Sequence, residues 1–171
     1  MNALKKILSA YQTRPNARQA GLIIFLSLIT DQLSKWLILS SSVVYQPQSV
    51  LPFLDFTLVW NRGISYGLFS QNSFGAQYGF AILSLLISLY FMYLISTTKS
   101  KFYALGLGLV IGGALGNGLD RVLHGAVVDF ISPHYQDYYW YVFNLADIWI
   151  TLGCILVLFD SFFQKEDAEK C

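Results

Sequence analysis

The chain has 171 residues, room for one domain, and is 55% hydrophobic with 12% of its residues charged, about half the charged share of an ordinary soluble domain. That composition excludes a disordered chain, a nucleic-acid-binding protein and most soluble enzymes, and a net charge of +1 supplies no field to gather polyanions. Long uncharged stretches point instead to an all-α polytopic membrane protein, with residues 1–171 forming one membrane-embedded domain.

In chain order, a basic lead (Lys5, Lys6, Arg14, Arg18) precedes the first apolar run, residues 21–39. No Ala-x-Ala site follows, so this run reads as a retained helix rather than a cleaved signal peptide. It carries two charges, Asp31 and Lys35. Residues 49–60 are rich in β-branched and aromatic side chains, and Pro47 and Pro52 limit their register. They predict one or two short strands. Asn61-Arg62-Gly63 reads as a turn, and residues 64–69 are apolar and aromatic again. Residues 78–95 and 102–119 are uncharged runs, and 141–159 holds Asp147 alone. Each run approaches the ~20 residues a helix needs to cross the hydrocarbon core.

Basic residues orient these four transmembrane helices. The lead, the link 97–101 and the tail hold eight of the eleven basic residues. The positive-inside rule then places both termini in the cytoplasm. Outer loops follow at 40–77, with the small extracytoplasmic β element, and at 121–140. Tyr135, Tyr138, Tyr139, Trp140 and Tyr141 crowd the second loop, as in an interfacial aromatic belt.

A charge at mid-membrane costs roughly 2.5–3.5 kcal/mol. Asp31, Lys35, Asp120, Arg121 and Asp147 lie within or against the runs, so they must face one another, water or a substrate. Asp31 and Lys35 are i and i+4. Asn117, Asp120 and Arg121 are i, i+3 and i+4, with Gly113 one turn earlier. Asn144 and Asp147 are i and i+3. Three helices therefore present polar stripes toward one outer pocket. Counted from residue 141, Asp147 lies about 9 Å down its helix.

Simpler readings stand beside these. Asp31–Lys35 works equally as a structural ion pair. Asn117, Asp120 and Arg121 also serve to cap a helix at the interface. Gly108, Gly112 and Gly116 form a helix-packing stripe, while Gly113, off that stripe, leaves room for a ligand. Asp55, Asp137, Asp160, Glu166, Asp167 and Glu169 read as solvated charges. His124 and His134 are isolated, so no metal site is expected. A Ser–Lys35 arrangement stays open on spacing alone. Cys154 reads as a packing thiol and Cys171 as a tail thiol.

Asp129 and Asp147 are each flanked by apolar residues, which disfavours ionisation. Close together they would share one proton, and one would then serve as base and the other as acid, as in aspartic proteases. The residues alone fit a proton-coupled membrane transporter equally well.

Asp31-Gln32-Leu33-Ser34-Lys35, Asn61-Arg62-Gly63-Ile64-Ser65-Tyr66-Gly67, Gly112 to Arg121, Val127-Val128-Asp129-Phe130 and Phe143-Asn144-Leu145-Ala146-Asp147 resemble, in order, the five motif blocks of lipoprotein signal peptidase (signal peptidase II). Ile64 departs from the alanine usual in the second block. The resemblance implies an aspartic endopeptidase of the bacterial inner membrane, with its active site facing the outer side. It would cleave the signal peptide from diacylglyceryl-modified prolipoproteins just before the lipidated cysteine. It implies a catalytic pair, Asp129 and Asp147, and substrate-binding or supporting roles for Asp31, Lys35, Asn61, Gly113, Asn117, Arg121 and Asn144. It also implies contact with membrane lipid, no metal or organic cofactor, no nucleic acid, inhibition by globomycin, an outer β-cradle and a mobile segment between the first two spans.

Overall fold

The computed structural model describes residues 3–63 and 74–169. The apolar stretch 64–69, the second half of the Asn61–Gly67 block and Cys171 lie outside the described residues, as do the side chains of the acidic tail. The basic lead, for which the sequence predicted no element, forms a short helix, α1 (Ala3–Thr13). Pro15 at the start of α2 (Pro15–Leu39) separates the two helices, since proline is favoured where no helical N–H is needed. Three more helices follow: α3 (Phe74–Thr97), α4 (Lys101–His124) and α5 (Leu145–Glu169). Helices α2 to α5 are each long and apolar enough to cross a membrane, and their outward faces are apolar. On α2, Leu22, Phe25, Leu26, Ile29, Leu33 and Trp36 are all exposed, a surface suited to lipid rather than water.

Helix α4 is the hub, packing against α2, α3 and α5, whereas α3 makes no extended contact with α5 among the described residues. Glycines explain the closeness elsewhere. A Cβ on Gly108, Gly112 or Gly116 would run into Ala20, Ser27 or Asp31 of α2. These three form the expected packing stripe. Gly113 faces the other way, and a Cβ there would lie 2.5 Å from the carbonyl oxygen of Ala146. Its bareness admits the α5 backbone. Gly106 and Gly153 meet across the same α4–α5 seam.

One end of the bundle is tied by polar contacts. Arg14 donates to the Ser96 carbonyl (3.1 Å) and Asn16 to that of Lys99 (2.9 Å), joining the start of α2 to the α3–α4 turn. Asp160 belongs to this end. Expected as a solvated charge, it is buried and accepts from the Ser100 hydroxyl, whose oxygen in turn caps α4 by accepting from the Tyr103 N–H. Cys154, expected to pack inside, lies exposed on the outward face of α5.

The other end carries an antiparallel sheet of order β1-β2-β3-β4: β1 (Gln48–Leu51), β2 (Leu54–Asn61), β3 (Val127–Tyr135) and β4 (Tyr138–Tyr139). The β element was expected in the first outer loop alone. It draws half its strands from the second, because β3 is buried over Val127–Phe130. A strand buried on both faces shows no alternation to distinguish it from any short apolar run. Ile38, Val43, Val128 and Phe130 form the small core beneath this sheet. Asp55 and His134 also depart from expectation: neither is isolated in solvent. His134 Nε2 sits 3.4 Å from Asp55 Oδ1 across the β2–β3 pair, and its ring stacks on Tyr139 at 5.0 Å.

The fourth helix begins later than predicted. Residues 141–144 precede the helix, and Phe143 forms an isolated antiparallel bridge with Ile131, each donating its N–H to the other's carbonyl. Asp147 is thus the third residue of α5 rather than the seventh, and lies at the helix end instead of well inside it. The seam gives a test. Gly153→Ala would bring a methyl within 2.5 Å of the Gly106 carbonyl. The expected loss is about 1–3 kcal/mol of stability, read as a lower melting temperature in detergent.

Candidate active site

Two turns of backbone set the positions of Asp129 and Asp147. Helix α4 ends at Gly125, whose φ of 67° is left-handed and whose N–H bonds to the Arg121 carbonyl at 3.1 Å. Glycine adopts that conformation without steric cost, and the chain reverses at once into β3. Asp129 is the third residue of that strand and is 1% exposed. At the start of α5, Asn144 Oδ1 accepts the Asp147 N–H (3.1 Å) and Asp147 Oδ2 accepts the Asn144 N–H (3.2 Å). This is a reciprocal capping box. It sets the Asp147 carboxylate at the positive end of the helix dipole.

Asn144 also joins the two acids. Its side-chain N–H donates to Asp129 Oδ1 at 2.6 Å and to Asn117 Oδ1 at 3.1 Å. Asn117 in turn donates to Asp147 Oδ1 at 3.0 Å. On the far side of Asp129, Asn61 donates to Oδ2 at 2.9 Å and to the Tyr141 hydroxyl at 3.0 Å. Burial pushes the Asp129 carboxyl up to about 7, and the nearby Asp147 charge adds to the rise. The donors Asn61 and Asn144 and the Lys35 ammonium oppose it.

Beneath the acids lies Lys35, 2% exposed. Its ammonium contacts Asp31 Oδ2 (2.9 Å), Asp120 Oδ2 (2.8 Å) and Asn117 Oδ1 (2.9 Å). Asp31 reaches on to the Ala146 N–H (2.9 Å) and Asp120 to the Val128 N–H (3.1 Å). Gln32 donates to both carboxylates. Arg121 donates to the Asn117 carbonyl (3.2 Å), and its guanidinium lies 5.3 Å from the centre of the Phe80 ring. Its buried Nε makes no hydrogen bond to a described residue. A cavity of about 470 Å³ runs along α5 from Asp147, lined by Tyr141, Phe143, Ile148, Ile150, Thr151 and Leu152.

The motif blocks and this arrangement have counterparts in known proteins. The profile of the family described as Signal peptidase (SPase) II matches residues 23–163. The chain belongs to the signal peptidase II family. It is 41% identical over 137 residues to the lipoprotein signal peptidase of Polynucleobacter necessarius subsp. necessarius (strain STIR1), covering 80% of this chain and 84% of the relative. It is 42% identical over 148 residues to that of Methylorubrum extorquens (strain PA1), covering 85% and 86%. A solved structure described as a bacterial membrane enzyme superposes with a TM-score of 0.76 at 31% identity, covering 87% of this chain and 90% of the other. This is a multi-pass membrane peptidase by family.

In this signal peptidase II chain, Asp31, Lys35, Asn61, Asn117, Asn144, Asp129 and Asp147 form one connected hydrogen-bond network. Arg121 borders it, and Gly113 stands outside it in the helix seam. The ion pair of Asp31 with Lys35 exists as expected, but Asp120 completes it. Asp120 and Gln32 were absent from the expected site residues. A glutamine inside an apolar run, and an acid on the stripe already drawn through Asn117, were the signals for them. Lys35→Met would leave two buried carboxylates facing each other. The expected loss is about 3–5 kcal/mol, seen as a collapse of folded yield or melting temperature in detergent.

Proposed function

We propose that this chain is an aspartic endopeptidase that cleaves the signal peptide from diacylglyceryl-modified prolipoproteins just before the lipidated cysteine. The observation that carries this reading is the link through Asn144, whose side-chain N–H bonds to Asp129 and whose backbone N–H bonds to Asp147. Two carboxyls so linked, beside an apolar cavity, suit acid–base hydrolysis of a peptide bond. The relatives' shared description as lipoprotein signal peptidases supports the substrate class.

In this mechanism Asp147, whose carboxyl faces two N–H donors at the helix end, acts as the base toward water, and Asp129 acts as the acid. Water attacks the scissile carbonyl carbon and gives a proton to Asp147, while Asp129 protonates the carbonyl oxygen. The tetrahedral intermediate then collapses. Its C–N bond breaks, the hydroxyl proton returns to Asp129, and Asp147 passes its proton to the departing cysteine amine. Asn61 and Asn144 hold Asp129 in place, and the Arg121 guanidinium binds the substrate near the developing charge. The apolar wall of α5 takes the lipid or the signal peptide. We assign the sheet end to the outer face of the bacterial inner membrane. Lys5, Arg14, Arg18, Lys99 and Lys101 are all exposed at the opposite end, which suits the cytoplasmic face. The transporter alternative has less support, because α5 holds no charged residue between Asp147 and Asp160. Such a protein needs a polar route from side to side.

The test is processing of a purified, lipidated prolipoprotein in detergent or nanodiscs. Asp129→Asn and Asp147→Asn each abolish the size shift while the protein stays folded, and globomycin blocks the unaltered chain. Normal turnover in either variant overturns the assignment. The pH dependence has a definite sign. Because Asp129 works in its protonated form, cleavage declines as pH rises through about 7, measured as initial rate against pH with membrane integrity held constant.

A further inference from the structure

Helix α3 lies outside all five motif blocks, yet it sends one buried amide toward the site. Gln77, in the first turn of α3, is 2% exposed, and its Nε2 donates to the Arg62 carbonyl at 2.6 Å. A buried amide in an apolar span is costly unless it is hydrogen-bonded. What it holds is a single peptide plane. The Arg62 carbonyl and the Gly63 N–H belong to the same rigid unit and point opposite ways. Gln77 grips the oxygen, and Asn61 Oδ1 accepts the Gly63 N–H at 3.1 Å.

That second bond fixes the orientation of the Asn61 amide. With Oδ1 committed to a donor, its Nδ2 must face Asp129 and Tyr141, as it does. The connection therefore runs from α3 through the 62–63 peptide and the Asn61 side chain to the Asp129 carboxyl. Asn61 is the last residue of β2. Beyond it the strand pairing with Val127 ends, so the ladder does not hold the 62–63 peptide that sets the orientation of its side-chain amide.

We propose that Gln77 is a positioning residue for Asp129, acting through the 62–63 peptide and Asn61. This rests on the reading of Asp129 and Asp147 as the catalytic pair. Gln77 makes no hydrogen bond to either acid among the described residues. It sets how firmly the Asn61 donor is held against Asp129, and that donor favours the ionised carboxylate.

Gln77→Met keeps the length of the side chain and removes the donor. For a lipidated prolipoprotein, kcat falls about tenfold, as for loss of one hydrogen bond, while KM changes little. The alkaline limb of the pH–rate profile moves to higher pH. Asn61→Ala moves it the same way, and Gln77→Met adds nothing to Asn61→Ala in the double variant. Should Gln77→Met not yield folded protein, Gln77→Asn serves, because its amide stops one methylene short of Arg62 while keeping its polarity. An unmoved alkaline limb in a folded variant at position 77, or effects that add fully to those of Asn61→Ala, overturns the proposal while leaving the pair intact. Full turnover by Asp129→Asn overturns the underlying reading and the proposal with it.

Discussion

The site depends on one buried ammonium. Lys35 offers three N–H donors in a region without bulk water, and its acceptors come from its own helix and from α4. The two carboxylates that neutralise it also bind backbone through their oxygens. Asp31 uses one on the N–H of Ala146, next to Asp147, and Asp120 bonds the N–H of Val128, next to Asp129. Each candidate catalytic acid therefore sits one residue from a backbone anchor tied to the same lysine. A pair of buried charges contributes little net stability over an apolar replacement. Here the ion cluster's effect is geometric, fixing a strand and a helix end relative to each other.

The asparagines build on that base with complementary chemistry. An amide both donates and accepts without changing charge, so Asn117 can accept from Lys35 and donate to Asp147 in one plane. Asn144 can cap α5 with its oxygen and reach Asp129 with its nitrogen. Ionisable residues in their place would add charge to a region already holding four acids and two bases. The two acids also differ in setting. Asp129 lies on a buried strand and its carboxyl is raised by desolvation, whereas Asp147 lies in the first turn of a helix. An acid–base pair needs such an asymmetry.

Much of this was legible in the sequence, for physical reasons specific to each part. Four apolar runs near membrane length leave few alternatives to helices, and their cores fell where expected. The acids and amides were visible because polar residues in lipid demand partners, and their helical spacing grouped them correctly. The start of α5 was misplaced because Tyr141 and Phe143 are as apolar as the helix that follows. The cap signature Asn144-x-x-Asp147 marks the true boundary. Strand β3 was missed because burial on both faces erases alternation, and its partner β2 lies more than sixty residues away. Asp160 and Asp55 were misjudged because a lone acid shows nothing of its partners, Ser100 and His134, which arrive from distant segments. Gln77 gave no sign because it fell at the end of the loop expected over 40–77, whereas α3 begins at Phe74.

The apolar cavity along α5 has a consequence for how such an enzyme meets its substrate. It runs from Asp147 past Ile148, Ile150 and Leu152 on a helix long and apolar enough to cross a membrane, so its walls lie at the level of acyl chains. A molecule anchored in the same bilayer reaches it by sliding in two dimensions, so encounter frequency follows the number of anchored molecules per unit area and the fluidity of the lipid. Dilution of the surrounding aqueous phase leaves that frequency unchanged, and weak intrinsic affinity suffices for steady turnover.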